Sequence, residues 1–288
     1  MEIVPNAWPR NALSNAAKLI AEADGIILTA GAGIGVDSGL PDFRGNEGFW
    51  KAYPALAKAG IGFTTIASPR SFQRSPRLAW GFYGHRLALY RSIDPHKGFD
   101  VLRNWGSKTR MGTWIYTSNV DGHFQKSGFS GAVINECHGS IHHLQCLEGW
   151  TPEVWSADDF IPEVDNETCQ LLNNFPNCPH CGGLARPNIV MFGDNGWLPQ
   201  RSLAQRANQA AWLEHARATK ARLVVIEIGA GSVIASVRDF GRRMCDEMVA
   251  HMIRINPREF QVEGRGDVGI PARSLSGINT IDAFLMRQ

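Results

Sequence analysis

The chain has 288 residues, 44% of them hydrophobic and 19% charged, with a formal net charge of +2 at pH 7. That balance excludes a disordered chain, and the small charge excludes the strongly basic footprint of a nucleic-acid-binding domain. No run of 18 apolar residues is present, which excludes a membrane-spanning helix.

Met1 to Asn6 offers neither a basic stretch nor a long apolar one, so no leader is read and a cytoplasmic protein is expected. In a reducing compartment the six cysteines point to metal binding, catalysis or plain burial rather than disulfides.

In chain order, residues 12–23 place Leu13, Ala16, Ala17, Leu19 and Ile20 at helical spacing, and Asp24-Gly25 ends that helix. Ile26 to Ala30 is a short apolar run that predicts a buried strand. Residues 49–92 read as a mostly helical insertion containing Trp80-Gly81-Phe82-Tyr83. Further strands are expected over 113–117, 132–135, 222–228 and 251–256, with helices over 203–219 and 235–250. Alternating strands and helices predict an α/β fold, a Rossmann-like doubly wound parallel sheet. The stretch 142–183, rich in Pro, Asn, Asp and Trp, reads as a small cysteine-containing module. The expected division is therefore 1–48, 93–141 and 184–288 for the main domain, with 49–92 and 142–183 inserted.

The segment with most chemistry runs from Ala30 to Gly45. Gly31-Ala32-Gly33 directly after a strand lets backbone approach a pyrophosphate, with free N–H groups to bind its oxygens. The plain dinucleotide fingerprint lacks its third glycine, since Val36 or Ser38 stands there, which weighs against a dehydrogenase. Pro41-Asp42-Phe43-Arg44 adds a rigid turn, a carboxylate, an aromatic ring and a guanidinium suited to a phosphate.

The whole stretch resembles the sirtuin signature GAGxSxxSGIPDFRG. Three further segments fall in the family's order. Thr117 to Gly122 resembles TQNIDGL, Glu136 to Ser140 resembles ELHGS, and Cys178 to Asp194 resembles CxxCGGxLRPxVVxFGE. Weaker echoes lie at Gly229 to Ser232 and at Ile255-Asn256. The resemblance implies an NAD-dependent protein lysine deacylase acting on an acylated protein or peptide. Gly31, Ala32, Gly33, Asp42, Phe43, Arg44, Ser118, Asn119, Asp121, Gly229, Ala230, Gly231 and Asn256 would bind NAD. Asn119, Asp121 and His138 would be catalytic, with His138 the general base. An imidazole titrates near neutral pH and can take and return one proton per cycle. Val190 and Phe192 would line the acyl-lysine channel, where the peptide would pair as an added strand.

Departures from the family pattern leave alternatives open. Ser118, Gly35 and Gly229-Ala230-Gly231 replace family residues that carry polar side chains at the cofactor. An NAD hydrolase or ADP-ribosyltransferase using the same site, or a non-catalytic NAD- or ADP-ribose-binding module, therefore stands beside the deacylase. The family's zinc module wants two cysteine pairs, but here Cys178-Cys181 is one pair and Cys146 stands alone, with Gly149 three residues on. Cys169, His142, His143 or His180 could supply a fourth ligand, or the zinc-ribbon-like module holds no zinc and rests on Trp150 and Trp155. Tyr83 and Arg86, three apart on an expected helix, resemble the pair of sirtuins that remove succinyl or malonyl groups.

Overall fold

The computed structural model describes residues 10–41 and 45–287. Helix α1 (Arg10–Ala21) buries Leu13, Ala16, Ala17 and Ile20, the stripe expected from their spacing. Strand β1 (Gly25–Ala30) is buried at every position, as an apolar run covered on both faces must be. A 3-10 segment, Ala32–Ser38, follows it. The helical insertion consists of α2 (Gly45–Ala52), α3 (Pro54–Lys58), α4 (Phe63–Ile66), α5 (Pro69–Arg74) and α6 (Pro76–Ser92). A proline opens α3, α5 and α6, where its missing N–H costs nothing. Then come α7 (Gly98–Ser107), β2 (Thr113–Thr117), α8 (His123–Lys126) and β3 (Ile134–Glu136). The small module holds β4 (Gly139–Cys146), β5 (Val154–Ser156), β6 (Val164–Asp165), β7 (Gln170–Leu171) and β8 (Ala185–Ile189). The chain ends with α9 (Gln200–Ala218), β9 (Leu223–Ile228), α10 (Ser236–Met248), β10 (His251–Ile255), β11 (Val268–Ile270) and α11 (Ser274–Leu285).

The six-stranded sheet has the order β11-β10-β9-β1-β2-β3 and every pairing is parallel. Alternate residues of β1 face opposite cores. Ile26 and Leu28 pack with Leu13, Phe99, Leu102, Ile278 and Ile281 from α1, α7 and α11. Ile27 packs with Leu213, Phe240 and Met244 from α9 and α10. Helices on both faces make the sheet doubly wound, and β1 lies where the strand order reverses, so a crevice opens at the C-terminal ends of β1, β2 and β9.

A second core joins the inserted helices to a three-stranded antiparallel sheet, β5-β4-β8. Phe72, Trp80 and Phe82 are fully buried there, and a buried Phe contributes about 3 kcal/mol. Trp80 Nε1 donates to Ala185 O at 3.0 Å, which stitches α6 to β8. This sheet starts at Gly139 and takes in Ala185–Ile189, so it crosses both expected borders, at 142 and at 184. Among the described residues no helix is long and apolar enough to cross a membrane.

Candidate functional site

The crevice is built on close contact between two glycine loops. Gly33 N–H donates to Gly229 O at 3.0 Å, and Gly31 N–H donates to Ile228 O at 3.0 Å. A Cβ on Gly33 would stand 2.7 Å from Gly229 Cα, and one on Gly229, at φ +64°, would stand 2.4 Å from Ile34 N. The glycines therefore let two backbones touch. The Gly31 and Gly33 N–H groups, expected to be free for a pyrophosphate, are spent on this seam. Asn256 Nδ2 donates to Ala230 O at 2.8 Å and Arg238 Nη2 donates to the same carbonyl at 3.1 Å, which fixes the loop after β9. A cavity of about 100 Å³ lies beside the seam, lined by Gly33, Asp37, Gly229, Pro257, Arg258 and Ser274. Val36, Ile255 and Pro257 make much of the wall apolar, with Asp37, Arg258 and Ser274 as polar groups, a mixture that fits part of a nucleotide. A larger hollow of about 750 Å³ lies at the opposite, N-terminal ends of β9 and β10. Its walls carry surface ion pairs, Lys18–Glu22 and Arg217–Glu247, and it shares no residue with the crevice.

Asn119 and Asp121 follow β2 directly, and both are buried. Asn119 Nδ2 donates to Gly31 O at 3.1 Å, tying the β2 end to the glycine loop and leaving the amide oxygen for a ligand. Ser118 N–H donates to Ala30 O at 3.3 Å. Asp121 accepts from His123 N–H at 2.9 Å, yet burial still pushes its carboxyl up to about 6. His138 follows β3 at the same edge and is half-buried, and burial lowers its pKa below the ordinary histidine value, so the ring is neutral at pH 7. Its Nε2 stands 3.2 Å from Ser236 Oγ at the start of α10. Ser236 and Arg238 were not readable from the sequence: neither belongs to a glycine run or a helical stripe, and folding alone brings them here.

Val190 and Phe192 follow β8. Val190 N–H donates to His138 O at 3.0 Å, so the segment after β8 and the histidine are joined directly. Phe192 N–H donates to Ala67 O at 2.9 Å, and its partly exposed ring meets Phe63 edge-on at 5.6 Å. A buried bidentate pair, Arg186 with Asp194 at 2.8 Å for both bonds, holds the turn after it. Tyr83 and Arg86 share a buried face of α6. Tyr83 stacks on Phe72 at 5.5 Å, and Arg86 donates to Tyr90 Oη at 2.7 and 3.1 Å. Arg86 is close enough to Asp121 to help hold that carboxylate. Asp42, Phe43 and Arg44 lie outside the described residues.

Cys146, Cys178 and Cys181 come together with their sulfurs all within 4.8 Å of one another. Cys169 does not join them. It is buried in the second core with its carbonyl against Gly81 of α6, a position fixed by packing. The three histidines are engaged elsewhere or apart: His142 Nε2 with Asp121 O at 2.8 Å, His180 with Glu153, and His143 half-buried in the middle of β4. Trp150 is mostly exposed and holds nothing together, while Trp155 packs against the second core. Three clustered thiols suit a zinc ion in donor type, and a closed structural site needs one donor more.

The Sir2 family model matches residues 31–215. An NAD-dependent protein deacylase of Thermococcus kodakarensis is 35% identical over 205 residues, covering 68% of this chain and 72% of that protein. One from Aquifex aeolicus is 28% identical over 260 residues, covering 90% and 95%. A solved Sir2 homolog–NAD complex has the same fold, with a TM-score of 0.68 at 22% identity over 94% of this chain and 93% of that one. The match begins at Gly31, directly after β1, and takes in the glycine loop, β2, β3 and β8 with Asn119, Asp121 and His138, and the chain belongs to the Sir2 family.

Proposed function

We infer that this protein is an NAD-dependent protein lysine deacylase, and that the observation carrying this reading is a neutral, half-buried His138 beside buried Asn119 and Asp121 at the crevice. The matched relatives from Thermococcus kodakarensis and Aquifex aeolicus bear the name NAD-dependent protein deacylase. Bound NAD would supply a glycosidic bond whose cleavage releases nicotinamide, and with one water consumed the ribose would take the acyl group, giving free lysine and O-acyl-ADP-ribose. The chain's part is orientation and proton handling. Asn119, anchored to Gly31 O, directs its amide oxygen at the cofactor. Asp121, close to half-ionised at pH 6, accepts or donates a hydrogen bond to a ribose hydroxyl. His138 takes the proton of a ribose hydroxyl and returns it, a role that its neutral form at pH 7 permits.

The acyl-lysine lies along Val190 and Phe192. The N–H groups of Val190, Met191 and Phe192 all donate within the chain, so an added peptide strand pairs with their carbonyls. The preferred acyl group carries a distal carboxylate. That finer reading rests on Tyr83 and Arg86 sharing one face of α6 near Asp121, with the guanidinium oriented by Tyr90.

The test is mass spectrometry of acetyl- and succinyl-lysine versions of one peptide, incubated with and without NAD. Free lysine formed only with NAD, and faster from the succinyl peptide, supports both readings. An untouched peptide in the presence of NAD contradicts the first, and faster deacetylation contradicts the second.

A further inference from the structure

The cysteine cluster differs from a closed four-ligand zinc site in a way the structure makes specific. Cys146 ends β4, and Cys178 and Cys181 flank a tight turn entering β8. That turn is built as a thiolate cradle. Gly182 N–H donates to Cys178 O at 2.9 Å, which closes the turn, and Gly183 N–H donates to Cys181 Sγ at 3.4 Å. Cys146 Sγ and Cys181 Sγ are 3.8 Å apart. The turn after Cys146 is different. Gly149, where a second pair would place its thiol, takes φ +72°, and a Cβ there would meet nothing within 4 Å. Its backbone is one that a cysteine would hold only with strain, so the position is built for glycine and not as a vacated ligand. Among the described residues no fourth Cys, His, Asp or Glu comes within range of the three sulfurs. Cys146 and Cys178 are buried while Cys181 is exposed, so the side without a ligand faces solvent.

We propose that Cys146, Cys178 and Cys181 form a three-thiolate zinc site whose fourth coordination position is taken by a small exchangeable ligand from solution, a water, a thiol or an imidazole. Zinc favours four donors, so a site offering three leaves one corner to solvent, the arrangement otherwise found where a metal must exchange a ligand. The placement connects this corner to the crevice. β4 runs from Gly139, next to His138, to Cys146, and β8 runs from the Cys178–Cys181 turn to Val190, whose N–H holds His138 O. Metal bound at the far end of this ladder would fix the two strands that lead to His138 and to Val190.

The experiment uses the full chain, purified reduced, reconstituted with Co(II) in place of zinc and titrated with imidazole. The expected result is one metal per chain, visible absorption bands that shift saturably with imidazole, and loss of the metal in Cys181→Ser. Cys245→Ser, on α10 beyond the other face of the sheet, keeps it. Metal-free reduced protein, bands that imidazole leaves unmoved, or a Cys181→Ser variant that retains its metal would each overturn the proposal. None of these readouts depends on deacylation.

Discussion

Ser236 Oγ stands 3.2 Å from His138 Nε2, which ties the first turn of α10 to the histidine after β3. The bond fixes the ring's orientation across a gap of 98 residues in sequence. Ser236→Ala removes it with little change in packing, since the serine is only half-buried. A bond worth about 1 kcal/mol predicts a fall in kcat/KM of about fivefold. Water admitted beside the ring also moves the acid limb of the pH profile up, toward the ordinary histidine value. An unchanged profile and rate would mean that the contact is incidental.

His138 itself sets the acid limb of the wild-type profile. Burial lowers its pKa, so the neutral base persists below the ordinary value of about 6.5 and is lost only as pH falls through the lowered one. The acid limb of kcat/KM that belongs to His138 is therefore expected to be centred below about 6.5. A limb centred above 6.5 would contradict the burial argument.

Asp121 is held in its buried place at a cost to stability. Its folded pKa is raised to about 6, so its favourable contribution is complete below the ordinary carboxylate range and is lost as pH rises through 6. Asp121→Asn keeps an acceptor for His123 N–H and removes the buried charge. Denaturant unfolding at pH 8 should find the variant more stable than wild type by about 1–3 kcal/mol, with the gap closing below pH 4, while deacylation falls. A variant less stable than wild type at pH 8 would show that the carboxylate is better paired than its burial implies.

Gly33→Ala tests the seam between the loops. The added methyl falls 2.7 Å from Gly229 Cα and 2.8 Å from its carbonyl oxygen, both backbone. The loops must separate, and overpacking of this kind costs about 1–3 kcal/mol. KM for NAD should rise more than kcat falls. Retained affinity for NAD would show that the seam lies outside the cofactor site.

The acyl reading predicts that Arg86→Gln lowers kcat/KM for succinyl-lysine by at least about tenfold relative to acetyl-lysine, since it removes the charge that meets the distal carboxylate. Tyr83→Phe, which keeps the buried ring, should shift the ratio the same way by less. A ratio unmoved in both variants would contradict the acyl reading.

Much of this arrangement was legible in the sequence because it is local. The strand over Ile26 to Ala30, the glycine loop, and the polar ends of β2 and β3 each occupy a few consecutive residues. Three kinds of feature were not. β11 is three residues long, too short for a period to show. The β4–β8 sheet buries Gln145, Arg186 and Asn188, residues that read as surface until Asn188 Nδ2 is seen donating to Gln145 Oε1 at 2.9 Å and Arg186 meeting Asp194. Ser236 and Arg238 depend on contacts between distant segments, which spacing alone does not report. Spacing also left Cys169 eligible as a ligand, whereas packing against Gly81 commits it to the core.

The most direct measurement is nicotinamide release from NAD, with and without an acyl-lysine peptide, by wild type and His138→Ala. The account predicts release that requires the peptide and is lost in the variant. Release that proceeds equally without peptide would contradict it and make the protein an NAD hydrolase or ADP-ribosyltransferase built on the same crevice.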